Sequence, residues 1–217
     1  MINLQKAGGI AALVLATAYI VGFVAMATLL NPGNVEDWTP VQKIELFLGR
    51  KALYQSWMIL IYVFAGALLV VLSVAFHDRL KTTSAVLMKL TTPFGLIWAG
   101  IVIASGMVAI VGTEVIARLY ANHVSLAAST SVAINAIHEG LGGGVEFVGG
   151  VWVLLIGVAT FQSRQLPRPF GYLSLLVGIA GILTVVPALG DLAAVFGLGQ
   201  ILWFAWTGIL MLRRNPS

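Results

Sequence analysis

Hydrophobic residues along this chain recur neither at every second position nor on a single helical stripe; they run on almost without interruption. Six windows nearly free of charge cover residues 7–30, 52–76, 90–112, 138–161, 170–189 and 192–212. A helix rising about 1.5 Å per residue needs about twenty residues to cross a hydrocarbon layer about 30 Å thick, and these windows supply that length. Backbone groups in lipid must pair within the segment, which leaves helices or a closed barrel. Barrel strands alternate apolar and polar positions over about ten residues, whereas these runs are continuous. The pattern therefore predicts an all-α, polytopic integral membrane protein, with six transmembrane helices in one bundle and one domain over 1–217.

The polar connections have their own signals. Thr39 followed by Pro40 marks a helix start, and Val41, Ile44, Phe47 and Leu48 recur at helical spacing before Gly49. This predicts a short amphipathic helix over 40–49, lying on the outer interface. The stretch 162–169 holds two prolines and two arginines and reads as a tight, solvated turn. Another turn is expected over 187–191, with Asp191 as N-cap of the last helix. The stretch 120–137, rich in Ala, Ser, Thr and Asn, fits either an outer loop with a short helix or an extension of the fourth span. The first run follows Lys6 and contains Ala25-Met26-Ala27, as a cleaved secretory signal would. It is longer than a usual signal core and is expected to be the first span.

Composition sharpens the class. Apolar residues make up 59% and charged residues 9%, against about 25% charged in soluble domains, so a water-facing surface cannot be covered. The net charge of +4 comes from basic residues scattered between apolar runs, not from a basic stripe, and no nucleic-acid partner is expected. The expected partner is the lipid bilayer. Absence of cysteine excludes disulfides, thiol nucleophiles, iron-sulfur clusters and thiolate metal sites.

Basic residues also set orientation. One set of helix ends carries Lys6, Arg79, Lys81, Lys89, Arg164, Arg168, Arg213 and Arg214, and the opposite set only Lys43, Arg50, Lys51 and Arg118. The richer side is expected to be cytoplasmic, with both termini inside. Glu36, Asp37, Glu45, Glu114, Glu139, Glu146 and Asp191 fall on the outer side, and only Asp78 on the inner. Two sets of three helices would have opposite orientations, the parity of an inverted repeat, although no repeat is legible in the residues.

Candidate chemistry concentrates between His138 and Gly150. Glu139 and Glu146 are seven apart, so one continuous helix would put both carboxylates on nearly the same face, two turns apart. Glu146 would then lie about 10 Å deep. A carboxylate there costs a few kcal/mol unless it is protonated, paired or facing a polar cavity, so it should point into the bundle. Read functionally, Glu146 is a proton or cation site in a network with Glu114, Arg118, Glu139 and His138, Arg118 being its basic partner. The alternative is an ion pair or protonated carboxyl that only fixes packing. Gly140, Gly142, Gly143, Gly144, Gly149 and Gly150 are expected to pack helices closely, Gly140 and Gly144 having the small-xxx-small spacing. The other reading of these glycines is a locally unwound helix with free carbonyls, as in transporters.

His138-Glu139 begins like the zinc-protease motif, but Gly142 stands where its second histidine belongs. His123, His138 and Glu139 match no strong metal signature, and His77 and His138, at opposite boundaries, cannot share a haem. No metal or cofactor is expected. Trp98, Trp152 and Trp203 fall near mid-depth, away from the interfacial belt, and are read either as the lining of an apolar pocket or as packed core or lipid-facing residues.

The Gly-Gly-Ile opening at Gly8, the Gly-Gly-Gly-Val-Glu-Phe-Val-Gly-Gly-Val-Trp-Val-Leu-Leu run of 142–155 and the 203–214 ending resemble a family of six-helix bacterial membrane proteins known only as a domain of unknown function. The resemblance implies a compact helical bundle in the bacterial inner membrane. Three function classes follow. The leading expectation is a non-enzymatic membrane protein that binds or conducts a small solute, ion or proton through an outward-facing pocket around Glu146. The second is an accessory subunit whose glycine face packs on a partner membrane protein or on a second copy. The third is an intramembrane enzyme using His138 with Glu139 or Glu146 as acid and base.

Overall fold

The computed structural model describes residues 3–31, 33 and 38–213. Glu36, Asp37 and Arg214, used above to set orientation, lie outside the described residues. Regular structure among the described residues is entirely helical. The α-helices are α1 (Leu4–Ala25), α2 (Pro40–Gly49), α3 (Lys51–Met58), α4 (Ala65–Leu80), α5 (Ala85–Tyr120), α6 (Val124–His138), α7 (Phe147–Ser163), α8 (Arg168–Leu183) and α9 (Leu192–Leu212). Wider π-helical turns continue α1 over Met26–Leu30, join α3 to α4 over Ile59–Phe64, and follow α6 over Glu139–Gly143.

Five continuous stretches are long and apolar enough to cross a membrane: Leu4–Leu30, Lys51–Leu80, Ala85–Tyr120, Val124–Ser163 and Leu192–Leu212. Arg168–Leu183 is apolar but shorter. Large apolar side chains such as Ile97, Val111, Leu176 and Leu202 are exposed on the outside of the bundle, where lipid would meet them. The chain is thus an all-α protein with the helices of an integral membrane protein.

Helix packing closes a ring: α1 lies against α4, α4 against α5, α5 against α7, α7 against α8, α8 against α9, and α9 against α1. Helices in lipid gain little from the hydrophobic effect on associating, so close packing must hold them together. Two devices supply it here. The first is an aromatic core. Trp98, Trp152 and Trp203 are almost fully buried, and successive ring centroids in this trio are 5.5 Å apart, with Phe76, Phe170, Phe196 and Phe204 around them. These tryptophans are consequently packed interior and do not line the apolar pocket considered for them. The second device is glycine. A Cβ on Gly150 of α7 would sit 2.5 Å from the Ile182 nitrogen and 2.7 Å from the Gly178 carbonyl oxygen of α8, so only glycine allows that approach.

Several local expectations can be compared directly. Thr39 caps α2 through a reciprocal capping box with Gln42, and Ile44 of α2 packs on Ile116 and Ala127 in a small second core. Asp191 stands at the N-cap of α9, but its backbone is helical and its side chain caps nothing, correcting that expectation. At the end of α4, Arg79 donates to Gln5 Oε1 and to the Leu210 carbonyl, tying α4 to α1 and α9. The stretch after Tyr120 is a helix, α6, folded back along α5.

Candidate functional site

The fourth window is where sequence and structure diverge most. Instead of one helix over 138–161, α6 ends at His138 and α7 begins at Phe147, with an irregular turn between. Gly142 creates the break. Its φ of 108° and ψ of 19° lie where side chains are rarely tolerated. Gly143 is required for a different reason, since a Cβ there would come 2.6 Å from the His138 ring. The glycine-rich run therefore turns the chain here, the alternative reading of these residues. Gly140 and Gly144 do not form a packing pair, because a Cβ on Gly140 would meet nothing within 4 Å and one on Gly144 only Glu139 of its own segment. Gly149 and Gly150 do face neighbours, Trp98 and α8 respectively, and are consumed inside the bundle.

His138 anchors the near side of the break. Its Nδ1 is 2.7 Å from Ser105 Oγ, and that hydroxyl donates to the His138 carbonyl at 3.0 Å. One hydroxyl proton cannot serve both contacts, so the pair is satisfied with the proton on Nδ1, donating to Ser105. The ring also lies edge-on to Tyr62, with centroids 4.8 Å apart. On the far side, the Glu146 backbone N–H donates to Thr184 Oγ1 at 2.8 Å, and Thr184 in turn donates to the Gly181 carbonyl. Glu146 is thereby held at the N-cap of α7, whose positive end favours a negative charge beside it.

The break separates the proposed acidic pair. Glu139 is exposed and outside the cavity, while Glu146 is half-buried and lines it, so the two share no helix face. The expected network with Arg118 does not form either. Glu114 pairs with Lys51 at 2.7 Å and accepts from Gln55 at 2.8 Å, on the exposed surface between α3 and α5. Arg118 is exposed on α5 and makes no salt bridge among the described residues. Glu139 parts from Glu146 because the helix is not continuous through Gly142, and Glu114 is instead engaged by Lys51 and Gln55 of α3. His123 and His138 stand at opposite ends of α6, about 20 Å apart along its axis, and cannot share a metal ion.

Glu146 faces a cavity of about 240 Å³ formed where one end of α1, the α3–α4 junction, the break and the start of α9 converge. Its walls include Tyr19, Phe23, Met26, Trp57, Tyr62, Gly142, Gly143 and Phe196. No hydrogen bond or ion pair to the Glu146 carboxylate satisfies normal geometry among the described residues. The buried Trp98 indole N–H, packed against Gly149 one turn along α7, is the donor beside that carboxylate, outside regular hydrogen-bond geometry. Each of the three π-helical turns supplies wall residues: Met26 from the first, Ile61 and Tyr62 from the second, Gly142 and Gly143 from the third. Trp57 is fixed as a wall by its own N–H, which donates to the Gly22 carbonyl at 2.9 Å.

Tyr19, Tyr62 and Trp57 are the cavity residues that the sequence analysis does not single out. A signal existed. Tyr19, Gly22, Phe23 and Met26 follow the spacing of one helix face, which carries a phenol and a glycine inside an apolar run.

Comparisons with protein-family models, with curated proteins and with solved structures return no match for this chain.

Proposed function

We propose that this chain is a six-span membrane protein that takes up a small solute, ion or proton in an outward-facing cavity around Glu146. The observation that carries this reading is the meeting of three π-helical turns at one cavity holding a carboxylate with no cationic partner among the described residues. Widened helical turns recur at functional sites because they displace side chains from their regular positions. A carboxylate is not left uncompensated in an apolar layer without a use. Here the compensation would come from what enters the cavity.

Arg168–Leu183 counts as the remaining span. At 16 residues it is about 24 Å long, but it packs along α7, and the short helical turn Pro187–Leu189 extends its reach. Lys6, Arg79 and Arg213 gather at one end of the bundle, while Arg50, Lys51, Glu45 and Glu114 occupy the end nearer the cavity. By the distribution of basic residues the first end faces the cytoplasm, which directs the cavity outward and puts α2 on the outer interface. The likeness of 142–155 to the bacterial six-helix family adds the inner membrane as location.

The absence of cysteine from the sequence gives a direct test. Glu146→Cys should react with a membrane-impermeant thiol reagent applied outside intact cells, while Leu69→Cys, buried in the core, should not. Reaction only after permeabilisation would reverse the orientation. No reaction under either condition would remove the cavity as a binding site.

A further inference from the structure

The cavity's chemistry narrows its occupant. Among the described residues, Glu146 is the sole formally charged residue on its walls, and no lysine or arginine lines it. Facing Glu146 are five aromatic residues, Tyr19, Phe23, Trp57, Tyr62 and Phe196. An anion would meet a carboxylate and the negative faces of aromatic rings, with no donor of positive charge. A hard cation such as calcium takes about six to eight oxygen ligands, whereas the side-chain oxygens here are those of Glu146 and two phenols. A neutral apolar guest would leave the carboxylate uncompensated. An organic ammonium satisfies both halves of the site, its charge against Glu146 and its carbon substituents against the rings.

We infer that the cavity binds an organic ammonium group attached to an apolar body, an inference that rests on the proposed role of the Glu146 cavity. Size supports it: a cavity of about 150 Å³ accommodates benzene, and this one, at about 240 Å³, has room for one ring and a short ammonium arm. The walls are set before the ligand arrives. Trp57 is hydrogen-bonded to Gly22, Tyr62 packs on Trp57 and His138 at centroid distances of 5.9 and 4.8 Å, and Phe196 lies 6.0 Å from Trp98. A cage already formed spends little affinity on ordering itself. The ammonium could belong to a free amine or to the headgroup of an ethanolamine lipid.

The test uses the full chain in nanodiscs of phosphatidylglycerol, with empty discs as blank, titrated calorimetrically with benzyltrimethylammonium. Saturable binding is expected. Glu146→Gln should weaken it about thirtyfold or more, the loss that follows removal of one partner from a desolvated charge pair, whereas Glu139→Gln should leave it unchanged. Neopentylbenzene, the neutral isostere, should bind far more weakly to the unaltered protein, a comparison that depends on no variant. Discs containing phosphatidylethanolamine distinguish the sources: a weaker apparent affinity there assigns the site to lipid headgroups, and an unchanged one to free amines. Equal binding of the isostere, or no binding of either probe, overturns the ammonium assignment. If Glu146→Cys still labels from outside in that case, the cavity stands without this ligand; if it does not, both readings fall.

Discussion

Replacing Gly142 with alanine isolates what the backbone alone contributes to the break between α6 and α7. A Cβ at this position would touch only Val102 Cγ2 at 3.9 Å, an ordinary contact, so crowding contributes nothing. What remains is the φ of 108°, which costs a residue with a side chain about 1 to 3 kcal/mol. In a domain of this length each kcal/mol moves Tm by about 2 to 4 °C, so Gly142→Ala should melt about 3 to 10 °C below the parent. Gly140→Ala is the matched control. It lies two residues earlier with open space around its Cβ, and alanine is the better helix former by about 1 kcal/mol. This variant should melt at or slightly above the parent. Intrinsic fluorescence during heating in detergent micelles reads both, because Trp98, Trp152 and Trp203 are buried in the core that must open. If the two variants melt together within about 1 °C of the parent, the glycine does not hold this turn, and the placement of Glu146 by a broken helix is wrong.

Two further outcomes follow from the packing. Gly150→Ala should destabilise through crowding, by about 1 to 3 kcal/mol or more, because the new methyl meets the backbone of α8 at Gly178, Gly181 and Ile182, which cannot rotate away; a melting midpoint equal to the parent's would refute that close approach. Lys51→Met should cost less than about 1 kcal/mol, since the Lys51–Glu114 pair is exposed, and the small difference should vanish in about 1 M salt; a larger or salt-independent loss would mean that the pair is buried in use.

The helices were legible because lipid imposes one rule on every span: a long apolar run with no internal interruption. Ala52 through Phe76 and Leu192 through Leu212 fulfil it and appear as continuous helical stretches. Their partners in the ring were not legible, because an apolar residue facing lipid and one facing another helix look alike in the sequence. Trp98, Trp152 and Trp203 illustrate this, being equally consistent with a pocket and with the solid core they form. Glu146 could be singled out, since an acid within such a run is costly wherever it points. Its neighbours could not. Grouping Glu146 with Glu139 and Arg118 relied on helical spacing, and the spacing ceased to apply at a glycine whose φ only the folded chain displays. Tyr19 and Tyr62 come from spans remote in sequence and meet Glu146 only through the ring closure of α1 on α4 and α9.

That ring explains why the irregular turns gather where they do. A π-helical turn gives up regular hydrogen bonding, and in lipid each unsatisfied backbone group costs several kcal/mol, so such turns are tolerated only where protein or a cavity covers them. Towards the end lined by Lys6, Arg79 and Arg213, α4, α7, α8 and α9 stay regular, held by the tryptophan core and by glycines at contact distance. At the other end all three π-helical turns among the described residues border the cavity. Gly22 and Gly197 on its walls are already in close contact with Ile61 and Phe23. Trp57, Tyr62 and Phe196 are fixed there by contacts with Gly22, His138 and Trp98. A bundle solid at one end with a cavity at the other is what the proposed uptake calls for, and Glu146, with no cationic side chain among the described wall residues, is the group that would select a positively charged occupant.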